Sequence, residues 1–546
     1  MMPVSTAVGT PICIIGLDGA SFELLDTLVA EGVMPTLSRL LARGTRAKLR
    51  STVPPITPAA WASFMTGKRP GKHGIYDFRI YDPRTYRDRF VTSRALRDHT
   101  LWSLLTAAGR RTAVVNLPVM YPPPPASGIV VSGFDTPGTD AEFTAPRELR
   151  QRILAELPDY AFIALPSAGD SELVRDDSFG AFVDRIERGL EQRTHVALAL
   201  LADGPFDVFM LHHQETDALQ HKTWPILVEP SRSPERAARL RQTYRRLDDR
   251  LGALLARFPE EALVIVVSDH GFGMQTGRVF PNVLLRQWGY LHGPSRWRAR
   301  LRRSLGKRLR RLGLAKRSEP STGGRWDQRV RAHSFERALP LRWRTTRAYV
   351  AAAEIYGLLY VNQRGREPHG IVAPGRERDT LCEEIRGRFL ALRDPADGAP
   401  IFSDVLEGSH VDPDDLTGRR PDLVLVPRPG FSVYRELNDR RWLDRYDRPS
   451  GTHRPDGIFI ASGPMVRAGA LPETVAIVDV APTVLAAAGV PVPDDMDGRV
   501  LTELFVTPPE VAYAAARAPT DVTTDVLSDE DERAVTERLR ALGYLT

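Results

Sequence analysis

The chain has 546 residues, of which 42% are hydrophobic and 26% charged, with a formal net charge of +6. That balance fits a soluble globular protein with room for one large α/β domain plus an inserted cap, or two to three ordinary domains. It excludes a helical membrane-spanning chain, since no apolar run approaches the ~20 residues of a span, and two cysteines, Cys13 and Cys382, exclude a disulfide framework.

Residues 1–10 lack the basic start and apolar core of a signal peptide, so a cytoplasmic location is expected. The first apolar run is Ile12-Cys13-Ile14-Ile15-Gly16-Leu17, and it ends on Asp18-Gly19. It reads as a buried strand that delivers Asp18 to its carboxyl end. In open α/β sheets, ligands and chemistry gather at that end. Residues 22–41 read as helix, restarted at Met34-Pro35 and ended by Gly44. Residues 45–52 alternate like an edge strand. Then Val53-Pro54-Pro55-Ile56-Thr57-Pro58 holds an extended approach and places Thr57 as a helix N-cap, with Pro58 at the first helical position. A hydroxyl there faces the positive end of a helix, where a phosphate is also stabilised. Taken singly, Asp18 reads as a turn cap and Thr57 as a helix cap.

Residues 76–93 are polar and basic, either a solvated loop or an anion-collecting wall beside Thr57. Residues 111–117 form a further strand, and a proline-rich turn follows over 118–125. Residues 179–201 carry Phe182, Ile186, Leu190, Val196 and Leu200 on one helical stripe, which is core. They lead into the strand Asp207-Val208-Phe209-Met210-Leu211 and then His212-His213-Gln214-Glu215-Thr216-Asp217. Asp217 and His221 are one helical turn apart and share a face. A helix over 237–257 precedes the buried strand that stops on Ser268-Asp269-His270-Gly271. This alternation of helix and strand argues for a largely parallel sheet with helices on both faces.

Composition changes near Tyr290. Between Arg296 and Arg317, eleven of 22 residues are Arg or Lys and none is acidic, so this segment alone exceeds the charge of the whole chain. Trp297, Leu301, Leu305, Leu309 and Leu312 recur at helical spacing, giving a basic amphipathic helix. It reads as a cap helix or as a contact with an anionic membrane surface. The segment lacks the interleaved aromatics that would suit nucleic acid. Residues 318–324 form a joint, 349–362 a strand pair broken at Gly357, 379–392 a helix and 421–426 a strand. Gly451-Thr452-His453 precedes the strand Ile458-Phe459-Ile460-Ala461. Asp479 is read as a helix N-cap. Asp494, Asp495 and Asp497 form an acidic turn without EF-hand spacing. Residues 508–525 read as a linker and 529–542 as a closing helix with an acidic start and a basic end. The resulting division is a catalytic core over 1–285 and 346–505, a basic helical cap over 286–345, and a linker with a terminal helix over 506–546.

Asp18, the Thr57 motif running through Met65-Thr66-Gly67 to His73-Gly74-Ile75, Asp217-x-x-x-His221, Ser268-Asp269-His270-Gly271 and Gly451-Thr452-His453 occur in one order. In that order and rough spacing, the chain resembles the alkaline phosphatase superfamily, specifically its type I phosphodiesterase/nucleotide pyrophosphatase branch, to about residue 500. The resemblance implies an alkaline-phosphatase-like three-layer sandwich. It also implies two divalent cations, one on Asp18, Thr57, Asp269 and His270 and one on Asp217, His221 and His453, with Thr57 as nucleophile. Three imidazoles favour zinc over manganese. The implied reaction is hydrolysis of phosphate esters, phosphodiester or pyrophosphate bonds before monoesters, through a phospho-threonine. A phosphoryl transferase, a mutase, a sulfatase and a non-catalytic membrane scaffold are the competing readings. A sulfatase would need a modified Cys or Ser where Thr57 stands.

In that branch an asparagine amide after the His-Gly-Ile triplet holds a phosphoryl oxygen. Phe78 follows Gly74-Ile75-Tyr76-Asp77 here. Lys72, Arg79 and Asn282 are the candidates to replace it. His73, His212, His213 and Glu215 are left as packing or outer-shell residues, with direct ligation as the alternative.

Overall fold

The computed structural model describes residues 9–96, 99–124, 128–162, 178–293, 341–352, 355–437, 441–516 and 527–542. The basic segment between Arg296 and Arg317, the joint at 318–324 and most of the expected cap lie outside these residues.

Nine strands make the central sheet. Along the chain they are β1 (Ile12–Leu17), β2 (Thr45–Arg50), β3 (Thr112–Val115), β4 (Ile129–Val131), β5 (Thr144–Ala145), β6 (Val208–His213), β7 (Leu263–Val267), β8 (Asp456–Ser462) and β9 (Thr474–Ala476). Their spatial order is β9-β2-β8-β7-β1-β6-β3-β4-β5. The block β7-β1-β6-β3-β4 is parallel throughout. β8 runs antiparallel to both β7 and β2. The sheet is therefore mostly parallel, and its middle strand is the first one in the chain.

β1 is buried on both faces, as its continuous apolar run requires. Cys13, Ile15 and Leu17 face one core, with the helices Phe179–Ala202 and Pro234–Leu255. Ile12 and Ile14 face the other, with the helices Thr57–Thr66 and Val480–Ala487. This is the three-layer α/β sandwich that the sequence implies. A third core joins the antiparallel pair Ala348–Ala352 and Gly357–Val361 to Leu423–Pro427 and Phe402–Glu407 in a separate four-stranded sheet.

Two sequence readings change. β2 alternates because one of its faces is exposed, and it is not an edge, since the short β9 pairs outside it. The segment read as a linker contains Tyr513–Ala514, a strand that pairs with Val492–Pro493. The terminal helix Asp529–Leu542 packs Val535 and Leu539 into the first core. Among the described residues, no helix is long and apolar enough to cross a membrane.

Candidate metal centre

Parallel pairing aligns Gly16 of β1 with His212 of β6 and Val267 of β7. The three strands thus end together. Asp18, the helix Glu215–Val228 carrying Asp217 and His221, and Asp269-His270 all emerge at that edge. His453 arrives from the opposite direction. The strand Leu443–Arg454 pairs antiparallel with Gly271–Val279, placing His453 beside Phe272, two residues after His270. The rings of His270 and His453 stack at 3.6 Å between centroids.

Thr57 is the first residue of the helix Thr57–Thr66. The cap position falls on Ile56, which is extended, and no side chain caps this end. The N-cap role assigned to Thr57 therefore shifts by one residue. The consequence is chemical: the hydroxyl is not spent on capping, and Oγ1 lies 3.4 Å from His270 Nε2.

Asp18, Asp269 and His270 group their ligand atoms within 4.8 Å of one another, as do Asp217, His270 and His453. His270 sits between the groups, its Nε2 3.5 Å from Asp18 Oδ1, 3.3 Å from Asp269 Oδ2 and 4.0 Å from Asp217 Oδ1. His221 joins the second group, 3.5 Å from Asp217 Oδ1. All seven candidate positions thus meet at one place, buried except for the partly exposed His221.

The donor set fits divalent cations. Asp18 Oδ1 and Asp269 Oδ2 are buried and accept no hydrogen bond among the described residues. Their partner oxygens are occupied. Trp61 Nε1 and His212 Nε2 donate to Asp18 Oδ2 at 3.1 and 3.0 Å, and the Gly19 amide donates to Asp269 Oδ1 at 3.3 Å. The imidazoles obey a matching rule. Nδ1 of His221, His270 and His453 each faces a backbone carbonyl, of Gly451, Gly271 and Pro55, at 3.0–3.1 Å. A carbonyl only accepts, so each Nδ1 carries the hydrogen and each Nε2 presents a lone pair, the arrangement of metal-ligating histidines. His221 and His453 bring their Nε2 atoms to 3.1 Å of each other. Two such lone pairs repel unless a cation lies between the ligands.

The electrostatics agree. Burial, then the charges of Asp18 and Asp217, pushes the Asp269 carboxyl well above its ordinary range. Burial raises Asp18 too, but hydrogen bonding and charge from His212 prevail and hold it below its ordinary value. Burial pushes His221, His270 and His453 down to about 4, so they are neutral near pH 7. Crowded carboxylates beside neutral imidazoles are the donor chemistry of zinc and similar ions.

The three candidate substrate contacts have internal partners instead. Lys72 pairs with Asp497 at 2.7 Å and donates to the Asp495 carbonyl at 2.9 Å. Arg79 is buried against Asp88 at 3.1 Å, with Phe90 under its guanidinium. Asn282 Nδ2 donates to the carbonyls of Val350 and Arg435, and its Oδ1 accepts from the Val350 amide. Phe78 is buried and packs edge-on against Phe134. His73 Nδ1 accepts from the Ile75 amide, and its Nε2 faces Ser63 Oγ at 3.0 Å, so its lone pair is used internally. His213 approaches Glu215, which pairs with Arg193.

Sequence reading missed Trp61 and Phe272 and left the role of His212 open. Phe272 packs its edge against His221 and lies 5.7 Å from His453 between ring centroids. The one available signal was Gly16 inside an apolar strand, which marks a close approach. A Cβ there would lie 2.9 Å from His212 Cδ2 and 3.0 Å from Trp61 Cη2.

Comparison with known proteins points the same way. A family model described as type I phosphodiesterase/nucleotide pyrophosphatase matches residues 12–456. Phosphonoacetate hydrolase from Sinorhizobium meliloti 1021, in complex with phosphonoformate, is similar in structure at a TM-score of 0.50 and 18% identity, covering 88% of this chain and 96% of that chain. Human ectonucleotide pyrophosphatase/phosphodiesterase 5 gives 0.46 and 14%, covering 88% and 95%. An inactive murine form of the same protein, in complex with AMP, gives 0.45 and 13% over the same shares. Identities this low speak for the fold alone. No curated protein sequence matches the chain.

Proposed function

Because the chain belongs to the type I phosphodiesterase/nucleotide pyrophosphatase family, and so is a hydrolase of that kind, we propose that it cleaves phosphate esters with two divalent cations, zinc before manganese, and Thr57 as nucleophile. The observation that carries this reading is the convergence of carboxylate oxygens and lone-pair-bearing Nε2 atoms around His270, whose Nε2 lies 3.4 Å from the Thr57 hydroxyl. Asp18, Asp269 and His270 would hold one cation, and Asp217, His221 and His453 the other. When bound, the pair supplies the Lewis acidity that lowers the hydroxyl pKa and offsets charge on the phosphoryl oxygens.

The chain supplies the rest. The helix Thr57–Thr66 presents Thr57 from its positive end, which favours an oxygen carrying negative charge. Thr57 gives its hydroxyl proton to solvent, and Oγ1 forms the new bond to phosphorus as the bond to the leaving oxygen breaks; the leaving oxygen takes up a proton from solvent, leaving a phospho-threonine. Water then attacks the same phosphorus, releases phosphate or a phosphomonoester and returns the hydroxyl. The Thr57 side chain is buried, and His221 is the partly exposed member of the candidate ligand set. With Phe78 in place of the branch's amide, and Lys72, Arg79 and Asn282 engaged elsewhere, phosphodiesters and pyrophosphates in general suit the site better than a nucleotide-specific role.

The test compares rates on nitrophenyl phosphate, bis-nitrophenyl phosphate and nitrophenyl sulfate, with Thr57→Ala as control. Turnover of the diester above the other two, lost in Thr57→Ala, is the expected result. Turnover that survives in Thr57→Ala would overturn the nucleophile. Faster monoester or sulfate turnover would overturn the bond preference.

A further inference from the structure

Of the three buried carboxylates at the centre, Asp18 is held unlike the others. The outward oxygen of Asp217 has the Gln214 amide at 3.5 Å, and that of Asp269 has the Gly19 amide at 3.3 Å. Asp18 Oδ2 receives two side-chain donors at 3.0 and 3.1 Å, from His212 and Trp61, while Oδ1 receives none. One carboxylate is thereby split into a fixed oxygen and a presented one.

The His212 ring is caged. Its Nδ1 faces the Asn116 carbonyl at 3.1 Å, so with an acceptor at each ring nitrogen it donates from both, unlike the three candidate ligand imidazoles, and Trp61 packs edge-on at 4.9 Å. Gly16 lies against its Cδ2, where any side chain would collide. Asn116 is itself set unusually. It follows β3 directly and has a φ of +64°, in the left-handed region that few residues other than glycine adopt. Its amide donates to the Val131 carbonyl at 2.8 Å, and its side-chain oxygen accepts from the Tyr160 hydroxyl at 3.0 Å. Tyr160 stacks on Phe143. A strained backbone persists only where the surroundings over-determine it. Here the strain aims one carbonyl at one imidazole.

We propose that Tyr160, Asn116 and His212 form a positioning relay that turns the Asp18 carboxylate, so that the relay sets the cation affinity of the Asp18, Asp269 and His270 group independently of the Asp217, His221 and His453 group. The proposal rests on the two-cation reading above. Outer-shell partners of this kind fix ligand orientation. His212 and Trp61 bear on Asp18, a residue of the first group, so loss of the relay falls on the cation of that group.

The experiment measures zinc affinity at both sites of the full chain by chelator competition, with the absorption spectrum of the cobalt(II) form as a second readout. Wild type, His212→Leu, His212→Gln and Tyr160→Phe are compared. His212→Leu is expected to weaken one site about 10- to 100-fold and leave the other within about threefold. His212→Gln restores a donor and should recover most of that loss. Tyr160→Phe removes a single hydroxyl, keeps the ring, and should weaken the same site by less than His212→Leu does; it decides the matter if His212→Leu fails to fold. Equal weakening of both sites, or unchanged affinities in Tyr160→Phe and His212→Gln, overturns the relay. Failure of the two-cation reading itself looks different: the wild type would hold no stoichiometric metal.

Discussion

The two ends of the helix Thr57–Thr66 both gather aspartates and reach opposite states. Beyond its carboxyl end, Lys68 pairs with Asp495, Lys72 pairs with Asp497, and the Arg69 amide donates to Asp497. Lys68 and Lys72 each meet an opposite charge there. At its amino end, three carboxylates and three neutral imidazoles gather about His270, whose Nε2 lies 3.4 Å from Thr57 Oγ1. A charge cluster that closes on itself stabilises a fold. One that leaves like charges and lone pairs facing each other is waiting for a cation, because burying them unpaired is costly.

Four substitutions sharpen this contrast. Asp217→Asn should have the largest effect, a loss on the order of 10³-fold in turnover, worth about 4 kcal/mol at the transition state, together with loss of one metal equivalent by elemental analysis. Asn282→Leu should leave metal content intact but cost about 2–3 kcal/mol in urea unfolding, since it strips partners from one amide and two carbonyls. Catalytic loss in Asn282→Leu without loss of stability would return that residue to the site.

His73 supplies a pH test away from the ligands. Burial pushes its folded-state value down to about 3, against 6.5 for the free side chain. Below pH 6.5 the unfolded chain takes up a proton that the folded chain refuses. Stability therefore falls with decreasing pH, by up to about 1.4 kcal/mol per pH unit from this residue between pH 6.5 and 3. His73→Gln should flatten that slope in chemical denaturation at a series of pH values. The smallest effect is expected of Lys72→Met. Its activity should stay within about threefold, with a stability loss of about 1–2 kcal/mol, because its partner Asp497 also accepts the Arg69 amide. A large rise in KM would show that the paired end takes part in substrate binding.

Part of the layout was legible because several candidate ligands stand at the end of an apolar strand or one helical turn from another, while the roles of Thr57 and His453 came with the family resemblance. Asp18, Asp269 and His270 are marked by runs that stop on them, and Asp217 and His221 by their spacing. Legibility failed where the partner is remote. Lys72 read as a free cation because Asp495 stands 423 residues further on. Asn282 read as a free amide because its partners lie 68 and 153 residues away. Trp61 has no local mark at all, since its indole reaches back 43 residues to Asp18 and the rest of its helix is equally buried. The boundary of that helix, one residue earlier than read, depends on backbone angles that Thr57-Pro58 leaves open.

The most direct measurement is the metal content of the purified chain after loading with zinc and removal of excess ion, beside Asp217→Asn and Lys72→Met. Two equivalents in the wild type and in Lys72→Met, and one in Asp217→Asn, are the predicted values. A wild type that retains no stoichiometric divalent metal, zinc or manganese, would contradict the claim that the carboxylate and imidazole cluster beside Thr57 is a cation centre.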